Sequence, residues 1–237
     1  MQPIQTQAIQ TWVFDLDGTL VEAMPLQHVI REVANLSGRS FEELFRHYRT
    51  EFQGVEAMMA YHKSLVRPDQ EAEVEALYQA WEASHAAPEL LEGAKEVLGL
   101  LKARGKRLIL WSKGTPEQQE RKARQVGLYD FFDRRLVSPG KGRVDTVERL
   151  LLPEVEGAWA MVGDSYEQDA LPALPFAEVV FWICGGWANR IAGPKAWEPH
   201  PKLRRIGHIR DLLAILNREL GGEPSGEPSE EPGAQSQ

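Results

Sequence analysis

The chain has 237 residues, of which 43% are hydrophobic and 26% are charged, and its formal net charge is −8. This composition is typical of a globular protein with one large domain, or with a core and a small second domain. No basic stripe suggests nucleic acid as a partner, and no apolar run approaches the ~20 residues of a membrane span. The N-terminus lacks a secretory pattern and the single Cys184 cannot form an internal disulfide, so we expect a cytoplasmic protein.

The first predicted element is a buried strand, Trp12–Phe14, which runs into the sequence Asp15–Leu20. Residues two apart on a strand point the same way, so the carboxylates of Asp15 and Asp17 would lie on the same side. Their like charges would repel each other and cost free energy unless a cation lies between them. An Asp-x-Asp sequence alone is also typical of a strand end before a glycine turn. The apolar residues before it and the Gly-Thr-Leu after it favour a chemical role.

Residues 21–88 contain only helical patterns. Apolar side chains recur at helical spacing in three stretches, and a fourth helix is predicted from about residue 54 to residue 66. We interpret these stripes as core packing rather than as a ligand site, and four such helices can form a small bundle. The three stripes are Leu26, Val29, Ile30 and Val33; Phe41, Leu44, Phe45 and Tyr48; Val74, Leu77, Tyr78 and Trp81.

From residue 89 helices and strands alternate, which predicts an α/β fold with a doubly wound parallel sheet. Together with residues 1–20, residues 89–220 would form this core. The tail, residues 221–237, repeats Glu-Pro-Ser units without large apolar residues, so we predict that it is disordered. The predicted strands are Leu108–Trp111, Arg135–Ser138, Ala158–Val162 and, as the last clear one, Val179–Ile183; the predicted helices cover residues 91–105, 115–126, 144–152, 169–174 and 209–216.

Reactive side chains follow four of these predicted strands. Ligands of doubly wound sheets bind at the carboxyl ends of the strands, where these side chains would meet. Each has an ordinary explanation alone, as a turn cap, a surface lysine or the first turn of a helix. Their joint occurrence at successive strand ends indicates an active site. They are Asp15 and Asp17; Ser112 and Lys113; Lys141; Asp164 and Asp169.

The order of these groups resembles the four motifs of the haloacid dehalogenase-like (HAD) superfamily of hydrolases, which are mostly phosphatases. The Asp15–Leu20 sequence resembles the first motif, Ser112 the second, Lys141 the third and Gly163–Asp169 the acidic fourth. The resemblance extends from about residue 12 to residue 216 and places residues 21–88 at the position of a small helical cap domain. The chain departs from the pattern where Lys113 replaces a common Asn, and where Lys141 lacks a Lys-Pro-x-Pro context.

The resemblance implies an enzyme, a Mg²⁺-dependent phosphatase that acts on a small phosphorylated metabolite through an aspartyl-phosphate. Asp15 would be the nucleophile and a metal ligand. Asp17 would protonate the leaving oxygen and then activate water, while its main-chain carbonyl also meets the metal. Asp164 would bind the metal directly, and Asp169 would act through water or orient the other groups. Carboxylates are suitable ligands for Mg²⁺ and suitable nucleophiles towards phosphorus.

The substrate phosphate would be held by Ser112, Lys113, Gly114 and Lys141. We expect Lys141 to be the lysine that neutralises the charge of the nucleophile and the phosphate. Gly140 and Gly142 relax the backbone of its loop, so its long side chain can reach the cleft, whereas strand alternation turns Lys113 away from the side on which Ser112 lies.

Two alternatives stay open at this point. A phosphomutase of the same superfamily keeps all four motifs but returns the phosphoryl group to a sugar. A metal-binding or phosphate-binding module would have lost turnover. A haloacid dehalogenase is disfavoured, because that subgroup does not keep the second aspartate, which here is Asp17.

Overall fold

A computed structural model of the chain describes residues 6–22, 24, 26–51, 55–185 and 199–220. The predicted disordered tail, residues 221–237, lies outside these residues, as does Gly54 at the start of one predicted helix. Within the described ranges, none of the helices is both long and apolar enough to cross a membrane.

The centre of the fold is a six-stranded parallel sheet of order β5-β4-β1-β6-β7-β8, beside a two-stranded antiparallel pair, β2 and β3, among the described residues. This confirms the predicted α/β class. The strands are β1 Thr11–Phe14, β2 Val21–Glu22, β3 Glu89–Leu90, β4 Arg107–Ser112, β5 Arg134–Val137, β6 Trp159–Gly163, β7 Val179–Ile183 and β8 Leu203–Ile206.

Helices cover both faces of this sheet and also form the insertion between β2 and β3. The helices expected from apolar spacing are present, although the predicted helix 144–152 widens into a π-helical turn, Val147–Leu151. A second such turn, Tyr166–Ala170, contains Asp169, which was expected to begin a helix. The α-helices are α1 Leu26–Ser37, α2 Phe41–Glu51, α3 Val55–Ser64, α4 Glu71–Ala86, α5 Ala94–Ala103, α6 Pro116–Gln125, α7 Val144–Thr146, α8 Leu171–Ala173 and α9 Ile209–Leu220.

The strand order places β1 between β4 and β6, with Phe14 opposite Leu110 on one side and Val162 on the other. From β1 the chain builds outward through β4 and β5, and then returns to the other side of β1 for β6, β7 and β8. All four residues of β1 are buried. The strand order therefore reverses at β1, and ligands of such folds bind at the carboxyl ends of the strands beside this topological switch point.

Val179–Ile183 is the last strand that the sequence pattern shows clearly, but the structure contains one more. Strand β8 extends the sheet beyond β7 in parallel register. Its sequence, Leu203–Ile206, has only its two end residues buried, so the central arginines conceal the strand pattern. The pair β2 and β3 was also not predicted, because two residues are too few to show an alternation.

Helices α1–α4 pack around a hydrophobic cluster of their own, distinct from the two clusters on the faces of the sheet. One polar side chain, His62, is fully buried near this cluster. Its Nδ1 shares a hydrogen bond of 2.9 Å with the Tyr78 hydroxyl, and its Nε2 has no hydrogen-bond partner among the described residues. Burial, together with the neighbouring His47, lowers the pKa of His62 to about 4.

The substitution His62→Gln should make the free energy of unfolding less sensitive to acid. The unfolded chain takes up a proton near the ordinary histidine pKa of 6.5, whereas folded His62 stays neutral down to about pH 4. The stability that depends on neutral His62 is therefore fully present above pH 6.5 and declines as the pH falls towards 4. Urea unfolding at several pH values in this range measures how steeply the free energy of unfolding depends on pH. This dependence should be weaker in the variant, by the equivalent of up to about one bound proton. An unchanged slope would show that another group causes the acid sensitivity.

Candidate active site

Asp15 lies directly after β1 and is only 7% exposed. Its main-chain N–H donates to Val162 O at 3.0 Å, which extends the pairing of β1 with β6 by one residue. One carboxylate oxygen, Oδ2, accepts a hydrogen bond of 3.3 Å from the Thr19 hydroxyl, and the other, Oδ1, is paired with the ammonium of Lys141. Asp15 is thus a buried carboxylate with a fixed orientation.

Two further carboxylates from the end of β6 lie beside Asp15. Asp164 follows β6 directly, and Asp169 comes from the π-helical turn after it. Oxygen atoms of Asp15, Asp164 and Asp169 all lie within 4.8 Å of one another, and all three residues are buried. The Ser165 main-chain N–H donates to Asp169 Oδ2 at 2.9 Å, which fixes that side chain.

Two glycines make room for these carboxylates. A Cβ on Gly18 would lie 2.3 Å from Asp164 Oδ2, and Gly18 also has a φ of +81°. A Cβ on Gly163 would lie 2.4 Å from the carboxyl carbon of Asp169. Both distances are far below van der Waals contact, so the acidic cluster requires glycine at both positions.

Lys141 reaches the cluster from the loop after β5. Its Nζ lies 2.6 Å from Asp169 Oδ1 and contacts Asp15 Oδ1, and its side chain is only 2% exposed. Burial opposes the charge of Lys141, but the Asp15 and Asp169 carboxylates outweigh burial and raise its pKa. Burial raises the pKa of Asp15 to about 7, against the lowering effect of Lys141. One buried ammonium therefore faces three buried carboxylates.

The segment after β4 carries the other predicted phosphate-binding residues. Ser112 is the last residue of β4 and is buried. It lies two residues after Leu110, which pairs with Phe14 at the end of β1. Lys113 is exposed, in contrast with Lys141, and its carbonyl accepts a hydrogen bond of 2.6 Å from Gln119 Nε2. Gly114 has a φ of +131°, a conformation that favours glycine.

Asp17 is oriented differently from the expectation. Because β1 ends at Phe14, strand alternation does not extend to Asp17, and its side chain is not part of the cluster of three carboxylates found among the described residues. Asp17 instead contacts Lys122 and Gln119 of α6, both of which are buried. Whether its main-chain carbonyl meets a metal stays a prediction.

Lys122 and Gln119 are not among the site residues that the sequence predicts. A signal for them was present: the buried residues of α6 are Gln119, Lys122 and Ala123, at positions i, i+3 and i+4. A helix that covers a sheet normally places apolar residues at those positions. Polar residues there indicate a buried polar partner on the sheet side.

Comparison with protein families gives one match that covers most of the chain. The model of the haloacid dehalogenase-like hydrolase family matches residues 9–175. This match includes every residue of the acidic cluster, Lys141 and the segment after β4. A search of curated proteins finds no match.

Solved structures share the fold at low sequence identity. A haloacid dehalogenase-like hydrolase from Xanthomonas campestris has a TM-score of 0.58 and 19% identity, covering 90% of this chain and 99% of that one. The HAD-family candidate hydrolase YfnB from Bacillus subtilis, bound to magnesium, has a TM-score of 0.57 and 18% identity, with coverages of 88% and 99%. A candidate β-phosphoglucomutase from Thermotoga maritima has a TM-score of 0.53 and 16% identity, with coverages of 89% and 99%.

Mg²⁺ should raise the Tm of the protein, and Asp164→Asn should remove most of this increase. A cation that binds only the folded state stabilises it in proportion to the logarithm of its concentration over Kd. Thermal unfolding in Mg²⁺ and in a chelator measures the shift. Asp145→Asn, which changes an exposed aspartate of α7, is the matched control and should keep the shift. A wild-type Tm that is the same with and without Mg²⁺ would contradict a metal site in this cluster.

Proposed function

Because this chain belongs to the haloacid dehalogenase-like hydrolase family, we propose that it is a Mg²⁺-dependent phosphatase that acts on a small phosphorylated metabolite. The observation that carries this proposal is the buried carboxylate of Asp15, which is paired with Lys141 and clustered with Asp164 and Asp169. A nucleophilic carboxylate towards phosphorus needs a fixed position and a balanced charge, and this cluster supplies the means for both.

The donor set of the cluster fits Mg²⁺. This ion takes oxygen ligands and is usually held by carboxylates together with waters and substrate phosphate. Three buried carboxylates exceed the single Lys141 ammonium in charge, and a divalent cation would offset the difference. We propose that Asp15, Asp164 and the Asp17 main-chain carbonyl would hold the ion, with Asp169 acting through water or by orientation. When bound, it would polarise the phosphoryl oxygens and offset their charge.

In the proposed reaction, an Asp15 carboxylate oxygen forms a bond to phosphorus while the bond from phosphorus to the ester oxygen breaks. Asp17 gives a proton to the leaving oxygen. In the second step a water oxygen attacks phosphorus, Asp17 takes a proton from that water, and the bond between Asp15 and phosphorus breaks. Lys141 and the Thr19 hydroxyl hold Asp15 in one orientation, which supports in-line attack.

We assign the substrate phosphate to the segment after β4. The Ser112 hydroxyl and the main-chain N–H groups of Lys113 and Gly114 would donate to its oxygens, and Lys141 would supply the positive charge. The burial of Lys141 among carboxylates and the exposure of Lys113 support this division of roles.

Residues 21–88 are proposed to act as a cap over this site. Their separate hydrophobic cluster supports a unit of its own, and the β2–β3 pair joins the two connections to the core. The YfnB structure is described as revealing interdomain movement. A cap that closes would exclude water during phosphoryl transfer and reopen for product release.

A phosphomutase of the same family is the second candidate, since the Thermotoga maritima protein with the same fold is a candidate β-phosphoglucomutase. Such an enzyme would return the phosphoryl group to a sugar instead of water. A requirement for a bisphosphorylated sugar activator would identify it, whereas phosphate release from simple esters without activator supports the phosphatase.

The substitution Asp15→Asn should abolish phosphate release and leave the fold intact. The amide cannot form the covalent intermediate, and removing one of three clustered carboxylates lowers like-charge repulsion when no metal is bound. Phosphate release from generic esters with and without Mg²⁺ measures activity, and thermal unfolding measures the fold. Asp130→Asn, at an exposed aspartate, is the matched control. Near-normal activity of Asp15→Asn would contradict the covalent mechanism.

Lys141→Met and Lys113→Met should differ sharply in their kinetic effects. Loss of one preorganised charged donor from a buried site typically lowers turnover by ~10²–10³, so Lys141→Met should lose that much or more. Exposed Lys113 should affect substrate affinity or preference more than turnover when changed to Met. Steady-state kinetics of both variants on the same ester decide the matter. The reverse pattern would show that Lys113 is the neutralising lysine.

A further inference from the structure

Asp17 is held by two side chains from one face of α6. Lys122 Nζ donates to Asp17 Oδ1 at 2.6 Å and to Oδ2 at 2.5 Å, and Gln119 Nε2 donates to Oδ2 at 3.1 Å. The side chain of Lys122 is 2% exposed, whereas that of Asp17 is 29% exposed. Both carboxylate oxygens are therefore fixed from the protein side, while part of the carboxylate still faces outward.

Gln119 connects this contact to the segment after β4. Its Nε2 also donates to Lys113 O at 2.6 Å, so the two hydrogens of one amide reach Asp17 and the proposed phosphate-binding segment. The packing here is close, because a Cβ on Gly114 would lie 3.0 Å from the same nitrogen. One side chain thus fixes the position of Asp17 relative to the segment 112–114.

A purely structural explanation for Lys122 is weak. Burying a lysine costs free energy that its ion pair does not always recover, and apolar side chains in place of buried ion pairs often stabilise a protein. On the buried face of α6 an apolar residue would pack against the core as other helices of the sheet do. Among the described residues, the hydrogen bonds that orient the Asp17 carboxylate come from these two side chains.

We propose that Lys122, together with Gln119, is a positioning residue that holds the Asp17 carboxylate ready to accept a proton from the attacking water. This inference rests on the proposed phosphatase function. In that step the water oxygen bonds to phosphorus, the bond between phosphorus and Asp15 breaks, and the proton of the water passes to Asp17. The hydrogen bonds from Lys122 and Gln119 fix the direction of the two Asp17 carboxylate oxygens, one of which takes this proton.

The test uses 4-nitrophenyl phosphate with Mg²⁺, because its leaving group needs no proton. For this ester kcat/KM reports the steps up to nitrophenolate release, whereas kcat also includes hydrolysis of the aspartyl-phosphate. Lys122→Met should lower kcat by about 10²-fold, a typical share for general base catalysis, and leave kcat/KM within a few-fold. In rapid mixing, the variant should release about one equivalent of nitrophenolate per enzyme quickly and then turn over slowly.

Three comparisons separate positioning from a structural effect. Lys122→Arg should recover most of kcat, and Arg121→Met, which removes a charge from the exposed face of α6, should change neither constant. Lys122→Met should add little further loss to Asp17→Asn, because Lys122 acts through Asp17.

The inference would be overturned if Lys122→Met lowered kcat and kcat/KM equally, if it changed neither, or if its effect added fully to that of Asp17→Asn. These outcomes require an active wild-type enzyme. A wild-type protein that releases no nitrophenolate would instead overturn the proposed function, and the catalytic role of Lys122 with it.

Discussion

The charge of one buried carboxylate is the constraint on which the site depends. Asp15 lies at the end of a fully buried strand, where water cannot stabilise its charge, and two more carboxylates lie within 4.8 Å. Burial raises the pKa of Asp15 to about 7, and only Lys141 among its described contacts carries an opposite charge. A site with this excess of negative charge favours the binding of a cation. Once a cation is bound, its charge favours the binding of an anion beside it.

The topology of the sheet explains how distant residues meet at this point. Strands β4 and β6 flank β1, so the segments that follow them end beside Asp15 even though Asp164 lies far along the chain. The acidic cluster also depends on the absence of side chains, because Gly18 and Gly163 leave the space that Asp164 and Asp169 occupy. Lys141 reaches the cluster from the loop after β5 rather than from a strand.

The sequence predicts the fold class and the three carboxylates of the cluster because their signals are local. An apolar strand followed by an acidic residue can be recognised at Asp15 and at Asp164 without knowledge of the partners. The direction of Asp17 could not be predicted in this way, since it depends on β1 ending at Phe14 and on side chains of α6 about a hundred residues away. Strand β8 was missed because its central arginines interrupt the apolar pattern, and the sheet accepts them at its edge.

The proposed mechanism requires that Asp15 becomes covalently phosphorylated during turnover. The most direct measurement is acid quenching of the wild-type enzyme during turnover of a phosphate ester, followed by mass spectrometry of its peptides. We expect a phosphoryl group on the Asp15 side chain of the peptide that contains it, and we expect this group to disappear when substrate is exhausted. Turnover without any phosphorylated peptide, or with the phosphoryl group on another residue, would contradict this mechanism.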